Sequence, residues 1–517
     1  MKIKSFSVTS RSENNYYFTS KIPQLLLIHP VLKFIIDLEE RDVRPAEWIA
    51  GLSGNEISIS DKIKTTKEEL TYYYNYYMFL KDNLHFGEVR EIDPIERRYT
   101  AELVQNYFTS CEHILFEVTD ACQLNCTYCG YGDLYEGFDK RTSKNLSIKL
   151  AKKLLDYYHG LREAKGNFTD KPITIGFYGG EPLLNFPFIV EMVNYAKNKN
   201  WQQSKLQFAM TTNGILLEKY MDFLVENEFL LIISLDGNER HNAYRVFKNG
   251  KPSFPIVYNN IKKLKGKYPD YFEKKTGFVA VGHNKNSLRE VEDFFEKSFN
   301  RTPVFDSLNM VGINPQRLDE FQRIYKQKFS DLKPAEMNEY KTNPQKIFQN
   351  PYRTYIERLI DLRTNYRISN CSQLFNPDER YTVSGTCAPF SHRIFLTVNG
   401  KILHCERIPQ TFYLAEVNED KLELDFQEIA AKYNRWLGRV SKQCNACLSN
   451  QYCDQCIFHL NLEDASCKCS SFKDFDSYKA DVAMDISLVE ETPIMYSNKI
   501  NEWESLLNKY NAKNKNK

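Results

Sequence analysis

Residues 119–132 read T-D-A-C-Q-L-N-C-T-Y-C-G-Y-G and contain three cysteines at C-x3-C-x2-C spacing, without a fourth. A structural zinc site or a fully ligated iron–sulfur cluster requires four ligands. A [4Fe–4S] cluster held by three thiolates leaves one iron without a protein ligand, and that iron can bind a small molecule. The stretch follows the strand-like run HILFEVT at 113–119, so we expect the cysteines at the carboxyl end of a strand.

From residue 113 onward, apolar strand-like runs alternate with amphipathic helical patterns. This alternation is typical of a parallel sheet with crossover helices. Six strand–helix repeats predict an α/β fold with a partial (β/α)6 TIM-type barrel, whose functional groups are expected at the carboxyl ends of the strands. The six predicted strands lie at residues 113–119, 173–180, 206–214, 230–237, 276–284 and 304–312.

The 517-residue chain exceeds a single compact core and should divide into several units. Residues 1–110 show strand patterns followed by helical patterns, which predict a small α+β module. The predicted parts are this N-terminal module at 1–110, the barrel at 111–315, a helical connector at 316–370, a cysteine-rich domain at 371–477 and a C-terminal tail at 478–517.

Charge and hydropathy disfavour two classes of partner. Lys and Arg total 69 against 67 Asp and Glu, a net charge of +2 that supplies no global field for attracting nucleic acid or an anionic membrane. The N-terminus lacks the apolar core of a signal peptide, and no run reaches the ~18 apolar residues of a membrane span. We therefore expect a cytoplasmic protein that binds neither nucleic acid nor membrane.

Thirteen cysteines in a reducing compartment argue against a disulfide framework. Apart from Cys111, they fall into the three of the opening stretch and a C-terminal group. Clustering at C-x2-C spacings indicates metal or cluster ligation rather than scattered core positions. The C-terminal group comprises Cys371, Cys387, Cys405, Cys444, Cys447, Cys453, Cys456, Cys467 and Cys469.

The opening stretch, with an aromatic residue just before its last cysteine, resembles the signature of radical S-adenosylmethionine (SAM) enzymes. The resemblance implies that Cys122, Cys126 and Cys129 hold a [4Fe–4S] cluster whose open iron binds the methionine amino and carboxylate groups of SAM. In that family one electron from the cluster cleaves the sulfonium, and the released 5′-deoxyadenosyl radical abstracts hydrogen from the substrate. It also implies an external electron donor such as flavodoxin or ferredoxin.

Motifs at the next three strand ends support this resemblance. The sequence at 179–182 resembles the family's GGEP motif, in which glycines let backbone oxygens reach the methionine amino group. T-N-G at 212–214 and S-L-D-G at 234–237 follow, and the resemblance places the latter near the ribose. Each alone is only a turn signal, but their order on consecutive strands favours a cofactor site. The implied cofactor-binding residues are Tyr128, Gly179, Gly180, Glu181, Thr212, Asn213, Ser234 and Asp236.

Two polar residues after the fourth strand, His241 and Arg245, match positions often filled this way in relatives. Their role is not derivable from the sequence, and local hydrogen bonding is the favoured interpretation. Glu406 occupies the position at which sulfatase-maturing relatives carry a carboxylate proposed as general base. A surface or salt-bridged glutamate is the commoner alternative.

The spacing of the C-terminal cysteines is similar to that of the SPASM domain, a C-terminal extension of radical SAM enzymes that carries two auxiliary [4Fe–4S] clusters. The family usually has three residues before the fourth cysteine of its second group, whereas two separate Cys453 from Cys456. The resemblance assigns Cys387, Cys405 and Cys456 to the first auxiliary cluster, with Cys371 as candidate fourth ligand. It assigns the second cluster to Cys444, Cys447, Cys453 and Cys467.

Three clusters would use eleven of the thirteen cysteines and leave Cys111 and Cys469 unassigned. Cys469 could replace Cys467 as a ligand. A zinc ribbon is the alternative, because C-x2-C pairs bind zinc readily in other proteins.

The pattern of the N-terminal module helps to choose among the candidate functions. Its helical patterns, starting H-P-V-L-K-F and T-K-E-E-L, resemble winged-helix elements that bind the leaders of ribosomally made peptides, by adding the leader as a strand to a sheet edge. The tyrosines of T-Y-Y-Y-N-Y-Y-M-F at 71–79 could form a peptide-binding face, although a core role is favoured for such a stripe.

The favoured function is therefore a peptide maturase that uses the radical to install a thioether or carbon–carbon cross-link in a precursor peptide bound through its leader. The enzyme alternative is an anaerobic sulfatase-maturing enzyme that forms formylglycine, which Glu406 favours and the extra N-terminal residues disfavour. A non-catalytic peptide carrier or electron-transfer scaffold is the third hypothesis, but a scaffold has no need of an open iron.

Overall fold

The protein is a mixed α/β molecule built around one nine-stranded sheet. Three smaller sheets, of two, three and two strands, accompany it in the part of the chain that is described. The computed structural model describes residues 2–20, 24–54, 56–91, 98–166, 171–202, 204–326, 385–450, 453, 455–462, 467–491, 493 and 501.

The N-terminal part contains the strands and helices that the sequence predicts, together with a β-hairpin. Its elements are β1 (Lys2–Lys4), β2 (Phe6–Thr9), β3 (Asn15–Thr19), β4 (Gln24–Ile28), α1 (Pro30–Glu40), α2 (Pro45–Ala50), β5 (Ile57–Ser60), β6 (Ile63–Thr65), α3 (Lys67–Leu84), β7 (Val89–Glu91) and α4 (Ala101–Ser110). Strands β2, β3 and β4 form an antiparallel sheet in that order, so β4 lies at its edge. Thr66, just before helix α3, caps the helix, because its hydroxyl accepts a hydrogen bond from the Glu69 amide at 3.1 Å.

Helix α3 has a buried face and an exposed aromatic face. Tyr77 is buried against the module's core. Tyr72, Tyr76 and Phe79 are instead 63%, 43% and 56% exposed, and their rings stack in sequence with centroids 6.5 and 6.4 Å apart. The preference for a core role is therefore right for Tyr77 and wrong for these three rings.

The six predicted barrel strands are all present and run parallel in the sheet order β13-β12-β11-β10-β9-β8. Strands β8 and β9 are buried on both faces over most of their length, as expected for parallel strands covered by helices, whereas β10 to β13 contain partly exposed residues between buried ones. The elements are β8 (His113–Thr119), α5 (Ile148–Lys165), β9 (Ile173–Gly179), α6 (Phe186–Lys197), β10 (Leu206–Thr212), α7 (Leu217–Glu226), β11 (Leu230–Ser234), α8 (Phe254–Lys267), α9 (Pro269–Lys275), β12 (Thr276–Gly282), α10 (Leu288–Phe299) and β13 (Val304–Ser307).

The cysteine-rich part extends the barrel sheet. Strand β14 (Ile394–Leu396) pairs in parallel with β8, and β15 (Lys401–Leu403) and β16 (Ala415–Glu416) follow in antiparallel order. Helix α12 (Phe426–Ala446) then packs against α4. The C-terminal part therefore continues the sheet of the barrel, which the sequence did not predict.

The described part of the predicted connector comprises residues 316–326, which include the 3₁₀ turn Pro315–Arg317 and helix α11 (Leu318–Ile324). Residues 327–370 of the connector, and Cys371, lie outside the described residues. The boundary predicted at 477/478 is wrong, because it falls inside helix α13 (Phe475–Glu491).

Helix α13 joins the two ends of the chain. It packs on the β2–β3–β4 sheet of the N-terminal module, where Arg11 N donates to Ser487 Oγ at 2.9 Å and Tyr16 OH to Glu490 Oε1 at 2.7 Å. The apolar residues of this contact are Phe6, Val8, Phe18, Tyr478, Val482 and Ile486. In the described part of the chain, no helix combines the length and apolar character that crossing a membrane requires.

Candidate active site

The three cysteines of the opening stretch line one cavity of about 930 Å³ at the carboxyl ends of the barrel strands. Backbone hydrogen bonds hold their loop against the segment that follows β11: Asn125 N donates to Val246 O at 2.7 Å and Thr127 N to Tyr244 O at 3.2 Å. These backbone bonds fix the course of the loop beside the strand ends.

Gly179 and Gly180 allow the end of β9 to lie directly against the start of the cysteine loop. Gly179 has φ +132°, and a Cβ there would lie 2.3 Å from Thr119 O; a Cβ on Gly180 would lie 2.1 Å from Ala121 O. Side chains cannot fit at either position, so this close backbone packing requires glycine. Both glycines also line the cavity.

Glu181 connects two strand ends from behind the cavity. Its carboxylate is fully buried and accepts hydrogen bonds from Thr212 Oγ1 at 2.8 Å and Asn213 N at 2.7 Å. Burial raises its pKa to about 7. Thr212 and Asn213 line the cavity whereas Glu181 does not, so the structure gives Glu181 a positioning role.

Asp236 also lies behind the cavity wall rather than on it. Its buried carboxylate accepts hydrogen bonds from Arg245 Nη2 at 3.1 Å and Val281 N at 3.0 Å, and from the Tyr128 hydroxyl. Burial is the largest single influence and would raise the pKa of Asp236, but Arg245 and His283 together outweigh it and lower that pKa to about 2. Of the S-L-D-G motif, Ser234 is the residue that lines the cavity.

Arg245 is on the cavity wall, and its bond to Asp236 agrees with the expectation of local hydrogen bonding. A guanidinium held in this way is well placed to bind a carboxylate. His241 is buried near Glu290, with Nε2 and Oε2 3.6 Å apart, and does not line the cavity. Sequence reasoning missed two further basic residues on the wall, Arg141 and Arg407, because neither belongs to a recognisable motif.

The thiol set fits a cluster with an open iron. Among the described residues, the cavity wall contains three cysteines and no fourth. Burial raises the pKa of Cys122, and that of Cys126 to about 12, so these thiols need a bound cation to become thiolates at neutral pH. Iron supplies that charge, and the cavity leaves room for a small molecule beside it.

Glu406 lies on the same cavity wall and is ion-paired with Arg393. The structure therefore shows the salt-bridged glutamate that was the alternative to a general base. Next to it, Arg407 is ion-paired with Asp306 of β13, so the cysteine-rich part forms one side of the cavity.

The C-terminal cysteines form two groups. Cys387 is close enough to Cys405 and Cys456 to contribute to raising the pKa of both, although burial is the larger cause. In the second group, Cys444 interacts with Cys447, Cys453 and Cys469. Cys469 in turn interacts with Cys467, and Gln443 binds the backbone of both residues, with Nε2 to Cys467 O at 3.0 Å and Cys469 N to Oε1 at 2.9 Å.

The first group is the set that the resemblance assigns to the first auxiliary cluster, and either Cys467 or Cys469 can complete the second group; their role as cluster ligands stays a prediction. Cys111 lies apart from both groups, buried, with Sγ 3.4 Å from His113 O. Within the described ranges, no three His, Cys, Asp or Glu side chains converge as they would on one metal ion.

The fold and this cavity agree with a comparison against protein families. Residues 116–297 match the family model described as the radical SAM superfamily. The chain therefore carries a radical SAM domain. This superfamily implies one [4Fe–4S] cluster and SAM as cofactors.

Curated relatives match over parts of the chain. An uncharacterized protein of Methanocaldococcus jannaschii is 36% identical over 185 residues, which are 35% of this chain and 57% of that protein. A cysteine-type anaerobic sulfatase-maturating enzyme of Clostridium novyi is 29% identical, over 47% of this chain and 56% of that enzyme. The radical SAM cyclopropyl synthase TigE of Paramaledivibacter caminithermalis is 28% identical, over 40% and 42%. The chain spans about half the length of these relatives.

Two solved structures are similar in outline. His-tagged anSMEcpe with bound AdoMet has a TM-score of 0.48 at 18% identity, over 77% of this chain and 98% of that one. Streptococcus suis SuiB bound to its precursor peptide SuiA has a TM-score of 0.36 at 15% identity, over 82% and 87%.

Proposed function

We propose that the protein is a radical SAM/SPASM peptide maturase that installs a thioether or carbon–carbon cross-link in a ribosomally made precursor peptide. The observation that carries the peptide substrate is the surface of the N-terminal module, where a free strand edge occurs together with an exposed aromatic helix face. The radical chemistry rests on the three-thiol cavity of the radical SAM domain.

In this proposal Cys122, Cys126 and Cys129 hold the cluster, which supplies the electron that cleaves SAM to the 5′-deoxyadenosyl radical. The chain's own residues bind and orient the cofactor. Arg245, held by Asp236, binds the methionine carboxylate. The hydroxyls and amide of Thr212, Asn213 and Ser234 lie on the cavity wall and can hydrogen-bond the nucleoside part.

The N-terminal module offers an edge at which a leader peptide can add as a strand. In the described part of the chain, β4 pairs with β3 and with no other strand. Leu27 on this strand is 67% exposed, and Tyr73 of α3 stacks on His29 just beyond the strand's end at 4.5 Å. An extended peptide on β4 would hydrogen-bond through its backbone and present alternate side chains to the module.

The C-terminal cysteines complete the proposal with two auxiliary [4Fe–4S] clusters, three clusters in all. Oxidation of a substrate radical after bond formation requires an electron acceptor, and clusters held by the C-terminal cysteines would supply one. An external donor such as flavodoxin or ferredoxin delivers the first electron. We place the enzyme in the cytoplasm, where a reducing environment keeps the thiols free for cluster assembly.

Formylglycine formation on a sulfatase is the second candidate. It is favoured by Glu406 on the cavity wall and by the 29% identity with a cysteine-type sulfatase-maturating enzyme. The ion pair between Glu406 and Arg393 disfavours it, because Arg393 already occupies the carboxylate that the reaction would need.

Peptide turnover distinguishes the two candidates. Anaerobically reconstituted enzyme is given SAM, dithionite and either a peptide encoded by a small open reading frame beside the gene or a sulfatase-derived cysteine peptide. The proposal expects the former to lose about two hydrogens, with tandem mass spectrometry showing a cross-link. An aldehyde on the sulfatase peptide, trapped by a hydrazide, would support the second candidate instead.

Leader binding is tested by the double substitution Tyr72→Ala and Phe79→Ala in the full-length chain. Loss of two aromatic contacts of about 1 kcal/mol or more each should weaken precursor binding by roughly tenfold or more. SAM cleavage without peptide should be unchanged, because the cavity lies in the barrel. The matched control is Asn75→Ala, exposed on the same helix. Equal affinity in the double variant and the control would remove the reason for preferring a leader-guided maturase.

A further inference from the structure

A half-buried arginine contacts the last cysteine of the three-cysteine loop. Arg141, on the loop that follows the cysteines, donates from Nη2 to Cys129 Sγ at 3.0 Å. It lines the cavity, and its Nε is buried without a hydrogen-bond partner. Among the described residues, no carboxylate forms an ion pair with Arg141, so its positive charge is not neutralised by the protein.

The position of this guanidinium is fixed by an aromatic platform. Arg141 lies over the ring of Tyr131 at 4.9 Å from the centroid. The Tyr131 hydroxyl donates to Glu117 Oε1, and Glu117 Oε2 accepts from Val398 N at 2.9 Å. Glu117 belongs to β8 and Val398 to the turn between β14 and β15, so the barrel and the cysteine-rich part together hold the platform.

The geometry points to Arg141 as a positioning residue that sets the charge and orientation of Cys129. We propose that it raises the reduction potential of the cluster held by the three-cysteine loop; this inference rests on the proposed function. Reduction adds one electron and so one negative charge to the cluster and its thiolates. A cation hydrogen-bonded to a ligand sulfur stabilises that more negative state, and hydrogen bonds to sulfur and local charge are known controls of such potentials.

The alternative is that Arg141 only packs on Tyr131 and stabilises the loop. Three substitutions separate charge, hydrogen bonding and packing. Arg141→Lys keeps the charge, Arg141→Gln keeps a donor without charge, and Arg141→Met keeps an apolar stem alone. Lys140→Gln is the matched control, since Lys140 lies next in the same loop, is exposed, and also loses one positive charge.

The experiment is a potentiometric titration of the full-length, anaerobically reconstituted enzyme, followed by electron paramagnetic resonance. The signal that changes on adding SAM reports the three-cysteine cluster, and the remaining signals serve as an internal reference. We expect the reduction potential of the SAM-sensitive cluster to be highest in the wild type, lower in Arg141→Lys, lower again in Arg141→Gln and lowest in Arg141→Met. For Met we expect at least a tenfold change in the ratio of oxidised to reduced cluster at fixed potential, about 59 mV for one electron.

The reference signals and the Lys140→Gln variant should not shift. An unchanged potential in Arg141→Met and Arg141→Gln, at wild-type iron content, would overturn the inference. So would an equal shift in Lys140→Gln, because that would be a general charge effect. If the Arg141→Met variant fails to assemble its cluster, the difference in reduction potential between Arg141→Gln and Arg141→Lys tests the inference. Failure of the wild-type loop to take up iron would instead refute the proposed function.

Discussion

The two cysteine-bearing regions of the molecule differ in what surrounds their thiols. Cys122, Cys126 and Cys129 face a cavity of about 930 Å³, whereas no described C-terminal cysteine lines that cavity. The first C-terminal group instead lies beside the buried rings of Tyr433 and Phe458, which pack 5.6 Å apart. Thiols that face a cavity suit a cluster with a small-molecule ligand, whereas thiols that lie away from the cavity suit a cluster that only transfers electrons.

The contacts that hold the two cysteine-bearing regions in place also differ. Backbone hydrogen bonds to Tyr244 and Val246 hold the three-cysteine loop, in addition to the contact of Arg141 with Cys129. In the second C-terminal group, the side chain of Gln443 holds the segments around Cys467 and Cys469.

Replacing Cys122, Cys126 and Cys129 together by Ala should have the largest effect on iron content and activity. Iron should fall by about 4 from about 12 per chain, since each cubane contains four. Cleavage of SAM to 5′-deoxyadenosine under dithionite should fall to background, because all its ligands are gone. Iron analysis and chromatography of the nucleoside product measure both. Cys111→Ala, outside every predicted site, is the control; SAM cleavage persisting in the triple variant would contradict the assignment.

Substitution of Cys444 and Cys447 by Ala should abolish peptide modification but not SAM cleavage. About 4 iron should again be lost, yet SAM cleavage should continue while cross-linked peptide does not form, since the electron route is interrupted. The measurement is the ratio of 5′-deoxyadenosine to modified peptide. Stoichiometric zinc in strictly anaerobic wild-type enzyme, or equal loss of both activities in a folded variant, would show that the C-terminal region has another role.

Asp236→Asn should have the smallest effect, on stability. The pKa of Asp236 is lowered to about 2 from 3.8, so its ionised form stabilises the fold by about 2 kcal/mol above pH 4. That contribution disappears as pH falls through about 2, because both folded and unfolded states then bind the proton. Denaturant unfolding of wild type and variant should therefore differ at pH 6 and converge towards pH 2. A constant difference at every pH would indicate lost packing instead.

The barrel was predictable because its signals are local and repeated. Each of the six strands is an apolar run ended by a turn, and helices such as α10 start with a recognisable cap, Ser287 with Glu290 three residues on. Strands β14 to β16 contain only two or three residues and have no periodicity to detect. Their existence depends on pairing with β8, which is distant in sequence.

The site was predictable to the level of motifs but not of side-chain roles. The motifs located the cavity, yet Glu181 and Asp236 lie behind its wall while Arg245 lies on it. Which side of a turn a residue occupies is decided by buried hydrogen bonds after the strand ends, and sequence spacing does not report them. Arg141 is twelve residues beyond Cys129 in an irregular loop, so its contact with that thiol is visible only in three dimensions.

Helix α13 limits how this protein can be divided or recombined. It starts six residues after Cys469 and covers the β2–β3–β4 sheet with an apolar face. Removing residues 1–110 would leave that face in water, so a truncated enzyme would suffer from more than the loss of its peptide-binding surface. A chimera with the N-terminal module of another enzyme would need a matching C-terminal helix, and the two ends of the gene are expected to change together during divergence.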